Sequence, residues 1–141
     1  IDLTDSRSTS GFVFISNGPT SWKSRRQQLT ALSTTEAEMN SLAEAVKEAS
    51  WLSSILQEMK LIAPDYRIKL HEDNAGCLAL VNGKRTPART KHLAVRIGFV
   101  RDMIDSVIIA VIRCSTADMI ADPLTKPLGF IDFQRKFQNL L

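Results

Sequence analysis

Two glutamates, Glu36 and Glu38, stand one residue apart in the stretch LSTTEAEMNSLAEA (residues 32–45), and helical geometry separates their fates. With about 100° per residue, Glu38 falls within about 40° of Leu42, Ala45, Ala49, Leu52 and Leu56, the apolar stripe of the helix. Glu36 shares its line with Asn40 and Lys47 instead. Ser33 with Glu36 three residues on reads as a capping box, and an acid in the first turn also suits the helix dipole. Glu38 points inward, where an uncompensated carboxylate costs several kcal/mol. Two further acids sit where α/β proteins place chemistry. Asp73 follows the strand pattern YRIKLHE at its carboxyl end, and Asp122 directly precedes Pro123, a good first residue of a helix. Singly, each acid is a cap or a turn former. Together with an inward glutamate they suggest a carboxylate cluster for hard divalent cations, because clustered carboxylates repel and Mg²⁺ relieves the repulsion.

The other residues with chemical potential say less. His71 lies in a strand before two acids and His92 follows basic residues; neither is given a catalytic role. Cys77 and Cys114 lack C-x-x-C spacing and a nearby histidine, so they read as buried thiols in a reducing compartment, against both a disulfide framework and zinc. The net charge of +3 is mild, but WKSRRQ (22–27) and GKRTPARTK (83–91) concentrate the basic residues, either as a solvated face or as a polyanion contact.

The elements that position these groups follow from periodicity. GFVFIS (11–16) is a β-branched and aromatic run closed by NGPT, and the segment after it interleaves polar residues with Trp22, Leu29 and Leu32, which predicts a hairpin. Residues 33–59 form the longest helix, uninterrupted by Gly or Pro. A strand over 66–73, a short helix over 74–81, a helix over 89–105, a buried strand over 107–113 and an amphipathic helix over 133–141 complete the chain. Helices alternating with the later strands make the class α/β, and 141 residues suit one domain. No apolar run reaches the roughly 18 to 20 residues that cross a bilayer, and the first residues have no signal-peptide pattern.

In order along the chain, DSRSTSGFVF, SWKSRRQ, ALSTTEAEM with EASWLSSIL, EDNAGCLAL, RTKHLAVRIGFVRD and ADPLTKPL resemble the ribonuclease H domain of the Pol polyprotein of copia-type (Ty1-like) LTR retrotransposons. The resemblance implies a ribonuclease H-like fold: a mixed five-stranded sheet flanked by helices, its first three strands an antiparallel meander. It implies cleavage of the RNA strand of RNA–DNA hybrids by a two-metal mechanism, with Mg²⁺ as cofactor and Mn²⁺ as substitute, during reverse transcription. It places the catalytic and metal-ligand roles on Glu38, Asp73 and Asp122. Phosphate contacts would come from Lys23, Arg25, Arg26, Arg89 and Lys91, with little base readout. The reverse transcriptase domain of the same polyprotein would be a partner, and the setting the cytoplasm, a virus-like particle or the nucleus of the host cell.

One part of the pattern is missing. The family's first, central strand carries another catalytic aspartate in a block resembling SDADWAG, upstream of STSG. Residues 1–141 do not include that block, so the expectation is a ribonuclease H-like domain truncated at its N-terminus relative to the family. An upstream segment or a swapped second copy would fill the gap. Asp5 matches a non-catalytic position, and Asp2 is at best a displaced substitute. Pro87 and Gly98 also stand where relatives often have histidine. The alternative function is a catalytically inactive hybrid-binding or structural module. A DDE integrase core is disfavoured, because the acids run Glu, Asp, Asp.

Overall fold

The structure, a computed structural model, describes residues 7–84 and 86–139. Asp2 and Asp5, Arg85, and Leu140 and Leu141 of the C-terminal helix pattern lie outside the described residues, as does the side chain of Arg89. The elements in chain order are β1 (Thr9–Ile15), β2 (Pro19–Arg26), α1 (Thr34–Glu58), β3 (Ile68–Glu72), α2 (Ala75–Asn82), α3 (Ala94–Asp105), β4 (Ile109–Arg113) and α4 (Phe130–Gln138). Short 3₁₀ turns fill Ala88–Leu93, Thr116–Asp118 and Asp122–Leu124.

β1 and β2 pair antiparallel through a turn in which Asn17 and Gly18 take φ of 56° and 127°. Asn-Gly is the pair that tolerates such left-handed angles, and their twist matches that of the strands. Ser33 caps α1 by accepting from the Glu36 N–H at 3.1 Å, while Glu36 Oε2 accepts from the Leu32 N–H at 2.8 Å. The reciprocal bond of the capping box therefore goes one residue further out than the motif predicts. Asn74 caps α2 by accepting from the Cys77 N–H at 2.8 Å. The helix expected over 89–105 is divided into a 3₁₀ segment, Ala88–Leu93, interrupted by Thr90 at φ −114°, and α3.

Met39, Ala43 and Val46 of α1 pack with Cys77 and Val81 of α2, Ile97 and Val100 of α3, and Ile109 of β4 into the core. The hairpin and the pair β3–β4, which is parallel, form two separate two-stranded sheets among the described residues. The chain is thus α/β, as the alternation of elements predicts, but its described strands are not joined into one sheet. No helix of the described residues is long and apolar enough to cross a membrane.

Candidate active site

Between the two sheets lies a cavity of about 910 Å³, lined by residues 11–16 of the hairpin and 68–73 of β3 and its end. Unbroken runs from both strands line it, so each strand presents an edge to it as well as a face, because successive side chains alternate. Its floor is α1: Glu38, Leu42, Ala45, Leu52 and Leu56 all line it. These are the members of the stripe identified by helical phase without Ala49; Leu42 and Ala45, like Ala49, also belong to the buried core. The stripe is thus shared between the core and the cleft.

Glu38, Asp73 and Asp122 come from three elements to this one cleft. Asp73 directly follows β3 and precedes the Asn74 cap of α2, so the strand end fixes it. Asp122 is set by the loop after β4. Ser115 accepts from the Asp118 N–H at 3.3 Å and donates to Asp118 Oδ2 at 2.7 Å, and Asp122 with Pro123 then opens a single turn that Ser24 holds by donating to Leu124 O at 2.5 Å. Gly11 underlies that turn: a Cβ there would stand 2.8 Å from Thr125 Cγ2 and 2.9 Å from Leu124 Cβ. The Gly11 N–H also donates to Ser41 Oγ at 3.3 Å, which ties β1 to α1 one turn beyond Glu38.

The electrostatics join the acids. Burial raises the Glu38 pKa, and the Asp73 and Asp122 carboxylates raise it further against the lowering effect of Lys126. Glu72, which sequence reasoning missed, is buried, and burial pushes its pKa up to about 7; the Asn74 N–H on its carboxylate lowers it, and Glu38 and Asp73 add to the rise. The signal was available: with a period of two, Glu72 falls on the side of Ile68 and Leu70. Cys114 is raised by burial and then by the surrounding carboxylates, and the Cys77 thiol is raised by burial, so neither is an activated nucleophile.

Asp122 differs from the other two acids. Its Oδ2 lies 2.5 Å from Lys136 Nζ and its Oδ1 lies 3.1 Å from Lys126 Nζ. Both carboxylate oxygens are thus compensated by ammonium groups. Among the described residues no group of three or more His, Cys, Asp or Glu is arranged to hold a metal ion. As it stands, the acid set does not fit a divalent cation.

The basic candidates lie elsewhere. Lys23 of β2 donates to Glu44 Oε2 of α1 at 2.8 Å and lowers the Glu44 pKa; Arg25 and Arg26 are exposed at the end of β2. Lys91 is exposed in the turn Ala88–Leu93, beside His92, whose Nε2 is 3.2 Å from Glu36 Oε2. None of these four basic residues lines the cleft. His71 lines it from the exposed side of β3.

No family model matches the chain, and no solved structure matches it. It is 38% identical over 126 residues, 89% of its length, to the retrovirus-related Pol polyprotein from transposon TNT 1-94 of Nicotiana tabacum. It is 36% identical over 134 residues, 94% of its length, to that from transposon RE2 of Arabidopsis thaliana. The transposon Ty1-DR5 Gag-Pol polyprotein of Saccharomyces cerevisiae is 27% identical over 129 residues, or 91% of the chain and 7% of the polyprotein. The chain spans 9% of the length of each of the two plant polyproteins. Over most of its length, then, the chain is homologous to one segment of copia-type and Ty1 retrotransposon Pol polyproteins.

Proposed function

We propose that this chain is the greater part of a ribonuclease H-like domain, which in completed form hydrolyses the RNA strand of RNA–DNA hybrids during retrotransposon reverse transcription. One observation carries the reading. Glu38, Asp73 and Asp122 line one cleft that runs between β1 and β3, and the Asp73 and Asp122 carboxylates are near enough to act on Glu38 at one end of it. The start of β1 is at that end, through Gly11 against Leu124 and Thr125, and the end of β3 is there too, through Asp73. The two edges therefore run in opposite directions. A strand laid between them would pair antiparallel with one and parallel with the other, joining both sheets into a mixed sheet of five.

Such a strand would satisfy backbone donors and acceptors on both edges, each worth on the order of 1–3 kcal/mol if otherwise buried and unpaired. It would come from an upstream segment of the polyprotein or from a swapped second copy. If it runs parallel to β3, its carboxyl end arrives beside Glu38 and Asp73. A carboxylate on it would complete the acid set for the Mg²⁺ ions that the resemblance implies. Glu38 and Asp73 would supply charge and position, while the exposed basic residues Arg25, Arg26 and Lys91 would hold phosphates of the hybrid beside the reverse transcriptase domain.

A labelled RNA–DNA hybrid with Mg²⁺ tests this, using the chain alone and the chain with the upstream strand restored. Cleavage confined to the restored form supports the reading. The pairing of Asp122 with two lysines favours a second reading, a non-catalytic hybrid-binding or structural module. Binding of the hybrid without cleavage by either form would select it.

A further inference from the structure

We propose that the cleft is a receptor for a β-strand supplied in trans by another polypeptide: a short extended segment, apolar where it faces α1 and basic where its carboxyl end meets Glu38, Glu72 and Asp73. The proposal rests on the gap between β1 and β3 described above and not on cleavage; it names the kind of partner that this cleft takes. Just before β1, the Ser8 carbonyl accepts from the Gln27 N–H at 2.7 Å. In an antiparallel pair the bonding residues alternate, so the backbone groups of Ser10 and Phe12 turn to β2 and those of Gly11 and Val13 turn to the cleft. The Gly11 N–H accordingly meets the side chain of Ser41, at 3.3 Å, and not a strand. In β3 the Ile68 N–H donates to Ile108 O and the Glu72 carbonyl accepts from the Cys114 N–H, both at 3.0 Å, so Lys69 and His71 hold the groups that face the cleft. Residues 11–16 and 68–73 line it, which six residues of extended chain would span at about 3.3 Å each.

The side chains set the pattern of the segment. Leu42, Ala45, Leu52 and Leu56 on the floor suit apolar groups at every second position. At the end where Asp73 stands, Glu38, Glu72 and Asp118 line the cleft as well, and Asp73 is close enough to act on both glutamates. Lys126, which acts on Glu38 in the opposite sense, is itself 3.1 Å from Asp122 Oδ1. Lys69 and Arg113 also line the cleft, but both are exposed and neither is ion-paired to these acids among the described residues. A strand parallel to β3 brings its carboxyl end to these acids. In metal-free solution a carboxylate there adds to their repulsion, whereas an ammonium group relieves it.

Titration of the isotopically labelled chain with synthetic hexapeptides, blocked at both ends and in a buffer containing a chelator, tests the receptor. One peptide alternates threonine with valine and leucine and carries lysine at position 6; a second carries aspartate there; a third keeps the lysine but has proline at its two central positions. The lysine peptide is expected to shift the amide resonances of residues 11–16 and 68–73 and to bind about 10-fold or more tightly than the aspartate peptide, an advantage that shrinks at high salt. The proline peptide, which lacks the donors that pair with an edge, should bind at least about 10-fold more weakly than its parent. Equal affinity of the lysine and aspartate peptides, undiminished binding of the proline peptide, or binding of none of the three would overturn the proposal. Failure of the ribonuclease reading is seen separately, as absence of hybrid cleavage by the chain with its upstream strand restored.

Discussion

Glu72 is buried beside Asp73 with a pKa raised from 4.5 to about 7, and this has a consequence for stability. The folded state holds its proton more tightly than the unfolded chain, so stability contributed by the neutral form is complete below about pH 4.5 and is lost as pH rises through about 7. The loss approaches about 3 kcal/mol if the whole shift is realised. Urea unfolding between these limits should show the parent weakening with rising pH and Glu72→Gln weakening much less; a parallel dependence would contradict the assignment. At this scale the sequence was informative where periodicity acts. Helical phase separated Glu36, which caps, from Glu38, which lines the cleft. The pairing of Lys136 with Asp122 was not legible, because it depends on the path taken by two intervening turns rather than on any local pattern.

At the scale of elements, two backbone positions carry measurable strain or crowding. Val107, which links α3 to β4, has φ of 63°, a left-handed conformation that costs an L-residue roughly 1–2 kcal/mol and that glycine adopts freely. Val107→Gly is expected to raise stability by about 0.5–1 kcal/mol in chemical denaturation, the relief being partly offset by the greater entropy of the unfolded chain. No gain, or a loss, would count against the strain. Gly11 is the opposite case, since a methyl group there collides with Leu124 and Thr125. Gly11→Ala should cost about 1–3 kcal/mol and shift the amide resonances of the Asp122 turn; a variant as stable as the parent would show that the turn is not packed on β1. The elements themselves were largely readable, but the strand expected over 107–113 begins at Ile109 because Val107 belongs to the turn before it. The helix expected over 89–105 is broken at Thr90, whose N–H and hydroxyl both donate to Pro87 O in a local turn.

For the whole molecule, the separation of the strands into two pairs is the feature that organises the rest. Strand pairing is set by long-range geometry, so composition and alternation could predict four strands without saying that β1 and β3 would face each other across a cleft. The stripe of α1 that reads as core by phase is core at Leu42, Ala45 and Ala49 and also floors that cleft, with Glu38 near Asp73 and Asp122. If this end of the cleft is the ribonuclease H centre proposed above, cleavage must depend on Glu38 and not on Glu36. Hybrid cleavage with Mg²⁺ by the domain with its upstream strand restored, measured for Glu38→Gln and Glu36→Gln side by side, tests it most directly. Glu38→Gln should lose activity by about 100-fold or more, as expected when a group acting on the transition state is removed. Glu36→Gln should keep activity and lose at most about 1 kcal/mol of stability as a weakened cap. Full activity in Glu38→Gln, or a catalytic loss of equal size in Glu36→Gln, would contradict the account.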